Sequence, residues 1–258
     1  VVFANKTKYV QQYFPELMPY LTQVEFSGVV LDPNNPDSDG DGLSDYEEIR
    51  EPFLFRGTES FSHPGMTDTD RDGLSDFQER DYTFTYTKYE DENRKNVTVS
   101  ESLNPDNEDT DFDGLVDGIE HLFFTNPLKN DTDDDDLLDG VEITGYTLPD
   151  GANMTMDPTN RDTDADGLQD GWECMGYYLD SVGELHNYWY FEVGEDVRLY
   201  SYANESDTDG DGISDYDEVM GRTVDGKEFG PTSPLLADTD GDGINDKEDP
   251  RPVLSEGR

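Results

Sequence analysis

Seven twelve-residue windows in this chain share one pattern, Asp-x-Asp-x-Asp-Gly-x-x-Asp-x-x-Glu, and any fold must first find a place for their charge. They begin at Asp37, Asp68, Asp109, Asp131, Asp162, Asp207 and Asp238. Positions 1, 3, 5, 9 and 12 are carboxylates in every window. Those positions hold 35 of the 63 Asp and Glu, and the remaining 28 face only 17 Lys and Arg. The formal net charge of −46 is therefore concentrated in repeats. A merely solvated acidic surface would keep no such register. Nucleic acid and anionic membranes are repelled by this charge, which excludes both as direct partners.

The spacing has a direct chemical reading. Ca²⁺ is a hard cation that takes six to eight oxygens at about 2.3–2.6 Å. Side chains at 1, 3 and 5 of a tight loop converge on one point, position 7 offers its backbone carbonyl, position 9 contributes directly or through water, and position 12 closes the shell. The expected ligands of the first loop are Asp37, Asp39, Asp41, Leu43, Asp45 and Glu48; those of the second are Asp68, Asp70, Asp72, Leu74, Asp76 and Glu79. Asp109, Asp111, Asp113, Leu115, Asp117 and Glu120 form the third set, and Asp131, Asp133, Asp135, Leu137, Asp139 and Glu142 the fourth. The fifth comprises Asp162, Asp164, Asp166, Leu168, Asp170 and Glu173, and the sixth Asp207, Asp209, Asp211, Ile213, Asp215 and Glu218. Asp238, Asp240, Asp242, Ile244, Asp246 and Asp249 make up the seventh. Two windows depart from the pattern. The fourth has Asp136 at the glycine position, which implies a strained or altered loop, and the seventh ends in the shorter Asp249. About seven ions are expected, or more if neighbouring sites share ligands. Mg²⁺ is the weaker alternative, because it prefers octahedral, partly hydrated sites.

Leu, Ile, Val and Phe total 54 residues, close to the level of roughly 20% below which charged chains stay unfolded. With 15 Tyr, 13 Phe and 2 Trp the chain is nevertheless too aromatic for a disordered acidic tail. We therefore expect a thin core and one coupled process of folding and Ca²⁺ binding.

Between the windows the chain alternates short helical signals with hairpin signals. Window starts lie 31, 41, 22, 31, 45 and 31 residues apart, and the recurrent 31 predicts one unit of loop, exit helix and hairpin. YEEIREP and GIEHLFF are the helical signals. YTFTYTKY and NVTVSES flank a polar turn, RTVDGKEF carries Asp-Gly, and YTLPDGANMTM carries Pro-Asp-Gly. The segment 184–202, ELHNYWYFEVGEDVRLYSY, reads as a strand pair. A proline stands four residues before every window except the sixth, where it is Ala203, and stops the preceding element. The fold class is thus mixed, with low regular structure: tandem calcium-binding loops, short helices and inserted β-hairpins. Residues 1–30 are an aromatic and apolar N-terminal segment suited to an assembly strand, 31–250 the repeat array, and 251–258 a tail.

NPDNEDTDFDGLVD from Asn104 and NPLKNDTDDDDLLD from Asn126 resemble the bacterial and archaeal members of the thrombospondin type 3 repeat family. DTDDDDLLDGVEITGYTLPDG, 131–151, looks like the Ca²⁺-binding region of binary-toxin protective antigens. The resemblance implies a fold with little regular structure that wraps around rows of bound Ca²⁺.

No catalytic pattern emerges. His63, His121 and His186 fit no zinc motif, and His63, before Pro64, reads as a turn residue. The single cysteine, Cys174, reads as a small apolar residue and cannot form an internal disulfide. No apolar run is long enough to span a membrane. Sequons at Asn5, Asn96, Asn130, Asn153 and Asn204 are candidate glycosylation sites. Together with Ca²⁺ loops they fit an extracellular or cell-surface protein, and the lack of disulfides fits a prokaryotic one. The expected function is a non-enzymatic, self-associating structural subunit of a filament, layer or matrix. Alternatives are an adhesin or carbohydrate-binding module, in which aromatic residues face a glycan, and a spacer of a larger secreted enzyme or toxin.

Overall fold

The structure is a computed structural model that describes residues 31, 34–55, 57–90, 93–179, 185–187 and 200–252. The segment 1–30, Asn5 and most of 251–258 lie outside the described residues. The chain divides into two units, one of residues 1–86 and 97–128, the other of 87–96 and 129–258. Loops 1–3 belong to the first unit and loops 4–7 to the second.

Regular structure is sparse, as the sequence predicts. Among the described residues there are six helices of at most six residues and five separate two-stranded antiparallel sheets. Each helix starts at position 9 of a window: α1 Asp45–Arg50, α2 Asp76–Arg80, α3 Asp117–Glu120, α4 Asp139–Thr144, α5 Asp170–Met175 and α6 Asp215–Met220. Position 8 is the N-cap. Ser44, Ser75 and Ser214 accept there from the backbone N–H three residues on, which explains why this position is so often polar. Gly145, Gly176 and Gly221, all at positive φ, stop α4, α5 and α6 and turn the chain into the next strand.

The first unit contains β1 Phe53–Phe55 paired with β2 Thr58–Ser60, a hairpin the sequence reading did not anticipate. β3 Tyr82–Glu90 and β4 Asn93–Glu101 form the long hairpin expected from YTFTYTKY and NVTVSES. Cross-strand hydroxyl pairs, Thr83 with Ser100 at 2.5 Å and Thr85 with Thr98 at 2.8 Å, fix its register. Phe53, Phe84 and Leu103 supply buried apolar volume. Arg80 lies over the Phe53 ring, 4.8 Å from its centroid.

In the second unit, β5 Tyr146–Thr147 pairs β6 Asn153–Met154, and β9 Arg222–Val224 pairs β10 Lys227–Phe229 around Asp225-Gly226, both as expected. β8 Leu185–Asn187 pairs with β7 Tyr177–Leu179; the strand pair expected within 184–202 falls mostly on residues 188–199, which lie outside the described residues. The core here is Leu137, Leu148, Met154, Met156, Cys174 and Ala203, with Tyr146, Met175, Tyr200 and Tyr202 packed against it. Cys174 is fully buried, and burial raises its thiol pKa, as suits an apolar role.

All three 31-residue intervals hold a helix followed by a short hairpin. The 22-residue interval holds only α3, and the 41-residue interval differs mainly by its longer hairpin. Interval length is therefore set by what is inserted between loops of constant shape.

Candidate metal centres

The loop shape comes from its own carboxylates. At position 1 the Asp accepts from the backbone N–H of position 6 in all seven loops, for example Gly42 to Asp37 at 3.3 Å and Gly243 to Asp238 at 2.8 Å. Position 5 accepts from the N–H of position 7 in all seven, at 2.6–2.9 Å. Positions 4 and 6 both sit at positive φ throughout. Asp136 occupies position 6 of the fourth loop at φ 82, and its N–H still bonds Asp131 at 3.0 Å. The fourth loop is thus strained but not reshaped. Position 4 carries strain of the same kind at Arg71, Phe112, Asp134 and Ala165.

Position 9 carries a structural duty. In every loop the position-2 residue, Ser38 or a Thr, donates both its N–H and its hydroxyl to the two oxygens of this Asp. The backbone N–H of position 9 meanwhile bonds the carbonyl just before the window. The Asp at 9 thereby ties the two ends of the loop together. Sequence reasoning missed the position-2 hydroxyl, although its recurrence as Asp-Thr-Asp was visible.

Those bonds leave a defined set of oxygens over. The carboxylates at 1, 3 and 5 converge, with ligand atoms within 4.8 Å of one another, in Asp37/Asp39/Asp41, Asp68/Asp70/Asp72, Asp109/Asp111/Asp113 and Asp131/Asp133/Asp135. Oδ2 of Asp39, Asp70, Asp164 and Asp209, and both oxygens of Asp133, are buried with no hydrogen-bond partner. The same holds for at least one oxygen of Glu48, Glu79, Glu120, Glu142, Glu173 and Glu218, the position-12 residues of loops 1–6. Each of these glutamates is at most 1% exposed. Burial first, with the like charges of the loop aspartates adding to it, pushes Glu48 and Glu218 up to about 9. Glu79 and Glu173 rise to about 10, and Glu120 and Glu142 to about 11.

A cluster of buried, unpartnered, mutually repelling carboxylate oxygens is what a hard divalent cation requires. The residues fit Ca²⁺: the carboxylates at positions 1, 3, 5 and 12 would hold it. Position 7 itself anchors the loop through its side chain, since Leu43, Leu74, Leu115, Leu137, Leu168 and Ile213 are all buried. The seventh loop differs. Ile244 is 42% exposed, and the closing Asp249 accepts from the N–H of Arg251 at 2.7 Å.

Successive loops are joined directly. The second oxygen of the position-5 Asp accepts from the N–H of position 10 in the next loop: Phe77 to Asp41 at 2.9 Å, Gly171 to Asp135 at 3.0 Å, Tyr216 to Asp166 at 2.8 Å and Lys247 to Asp211 at 3.1 Å. Gly118 takes the equivalent place against Asp72. A side chain on Gly118 or Gly171 would collide with the backbone carbonyl of Asp72 or Asp135. Phe77 and Tyr216 instead lay their rings against Gly42 and Gly167.

Two further features surround the fourth loop. Lys129 pairs with Asp134 at 2.8 Å, and Arg161 pairs with it at 3.4 Å while donating to the Asp133 carbonyl. The described sequons Asn96, Asn130, Asn153 and Asn204 are all exposed. Among the described residues, no helix is long and apolar enough to cross a membrane.

Comparison with known proteins agrees with this chemistry. Residues 130–163 and 161–237 match the family described as Clostridial binary toxin B/anthrax toxin PA Ca-binding domain. Residues 37–51 and 238–248 match the Bacterial TSP3 repeat. No curated protein and no solved structure matches the chain. Over the matched segments the chain is similar to these two families, in keeping with a calcium-binding repeat protein.

Proposed function

We propose that this chain is an extracellular structural protein, a self-associating subunit of a surface filament, layer or matrix that Ca²⁺ folds and stiffens. One observation carries the reading. The buried carboxylates of the loops outnumber the buried apolar side chains among the described residues, nineteen to sixteen, so cations take the place of a hydrophobic core. A fold that depends on several Ca²⁺ ions suits a compartment where calcium is abundant, outside the cell. The exposed sequons are compatible with that location, and nothing in the loops calls for a catalytic role. About seven ions would lower the formal charge from −46 to −32. Subunits that still repel one another would need further cations at their contacts to associate.

A second reading is favoured by the match of residues 130–237 to the Ca-binding domain of a toxin component. It makes the chain a calcium-dependent spacer in a larger secreted protein. Light scattering and electron microscopy of the purified chain, in Ca²⁺ and then in excess chelator, separate the two. Fibres or sheets that form with Ca²⁺ and dissolve on chelation are expected from the first reading. A monodisperse monomer at every calcium concentration would overturn it and leave the spacer.

A further inference from the structure

Each position-12 glutamate meets the residue six places before the next window. After loops 1, 5 and 6 that residue is Ser62, Ser201 or Thr232; after loops 2 and 4 it is Leu103 or Met156; after loop 3 it is Thr125, whose hydroxyl donates to the main-chain carbonyl of Glu120 at 3.4 Å. The other three hydroxyls donate to one carboxylate oxygen, from Ser62 to Glu48 Oε1 at 3.1 Å, from Ser201 to Glu173 Oε1 at 2.7 Å and from Thr232 to Glu218 Oε1 at 2.9 Å. In all three glutamates only Oε2 is left buried and unpartnered. Leu103 and Met156 bring no hydroxyl. Their N–H groups bond the main-chain carbonyls of Glu79 and Glu142, each at 3.0 Å, and both carboxylate oxygens of those glutamates stay buried and unpartnered.

All these loops have Asp at positions 1, 3, 5 and 9, and the closing glutamate is the place where a neighbouring side chain outside the loop changes what is left for a metal. Ca²⁺ accommodates a bidentate carboxylate in a shell of up to eight oxygens, whereas Mg²⁺ demands six in near-octahedral order and keeps some of its water. We propose that the residue six places before the next window sets metal selectivity. Loops 1, 5 and 6 present one uncommitted glutamate oxygen and accept Mg²⁺ as well as Ca²⁺. Loops 2 and 4 present two and hold Ca²⁺ alone. The inference rests on the calcium-binding reading of the loops and adds a division among them that the repeat pattern does not show.

Equilibrium dialysis of the full chain with radiolabelled Ca²⁺, with and without a large excess of Mg²⁺, tests it. Mg²⁺ should displace part of the bound calcium and leave a resistant part. The triple variant Ser62→Ala, Ser201→Ala, Thr232→Ala should weaken Mg²⁺ competition at the sensitive sites about tenfold, the lower end of what loss of an outer-shell partner does to a metal site. Met156→Ser should move one resistant site into the sensitive class. Trp172, in α5, provides a local readout of loop 5 through sensitised Tb³⁺ emission, which Mg²⁺ should quench in the parent and not in Ser201→Ala. Displacement of all calcium or of none, or variants with unchanged competition, would overturn the selectivity while leaving calcium binding intact. No bound calcium even without Mg²⁺ would overturn both.

Discussion

The hydroxyl at position 2 ties the Asp at position 9 to the chain before the window in loops 2, 3, 5, 6 and 7. Thr163 donates to Asp170 Oδ2 at 2.6 Å, donates its N–H to Asp170 Oδ1 at 2.8 Å, and accepts the N–H of Asp157 at 3.0 Å. Thr163→Val should therefore leave a buried carboxylate oxygen and a backbone N–H unsatisfied. A loss of about 1–3 kcal/mol in the stability of the Ca²⁺-loaded chain is expected in calorimetric or denaturant melts. Thr163→Ser should stay near the parent, because Ser38 makes the same two bonds to the Asp at position 9 in loop 1. Backbone strain gives a prediction of opposite sign. Asp136, at φ 82, stands where the other six loops have glycine, so Asp136→Gly should stabilise the loaded chain by about 1 kcal/mol. An unchanged or lower melting temperature would show that the Asp136 side chain contributes more than its backbone costs.

At the scale of elements, helices and hairpins are accessories to the junctions between loops. Gly171→Ala would drive a methyl into the Asp135 carbonyl and part loops 4 and 5. We expect a cost of about 1–3 kcal/mol, as for an overpacked core. Calcium affinity should fall at those two loops and not at loops 1–3, an outcome readable by titration of the variant. Much of this level was legible in the sequence. The constant register marked the loops, Asp-Gly and Pro-Asp-Gly marked two hairpins, and the 31-residue interval marked the repeating unit. β1 and β2 were not legible, because strands of three residues carry no measurable alternation. The β7 strand that pairs with β8, Tyr177–Leu179, was not legible for the same reason, and it begins directly after the Gly176 that ends α5. The joints themselves escaped because they pair a carboxylate with a backbone N–H of the next repeat, and backbone groups leave no mark in sequence. The hydroxyls six places before the windows are present in the sequence, but nothing in the spacing says that they serve the loop behind them.

For the whole molecule, the controlling fact is a polar interior. Ligand carboxylates were predictable from spacing, but their burial, deeper than that of many apolar residues, was not, since it arises from how loops stack. Burial has a pH consequence. Without metal, the six closing glutamates have folded pKa values of about 9–11 against an unfolded value near 4.3. Between those limits the folded state binds protons that the unfolded state has lost. Their stabilising contribution is therefore complete below about pH 4.3 and is lost as pH rises toward 9–11. The metal-free chain should therefore recover part of its folded-state circular dichroism at pH 5 that it lacks at pH 8. The Ca²⁺-loaded chain should not share this trend, since the cation takes the place of the protons. A metal-free folded-state signal that grows with pH would contradict this part of the account.

The central claim is that calcium and fold are inseparable, and chelation tests it most directly. Circular dichroism and thermal melting at neutral pH should be recorded in Ca²⁺, after excess chelator, and after calcium is restored. The account predicts that chelation abolishes the cooperative melt and the folded-state spectrum, and that added Ca²⁺ restores both. A spectrum and melting temperature unchanged by chelation would mean that the buried carboxylates need no cation, and would contradict it.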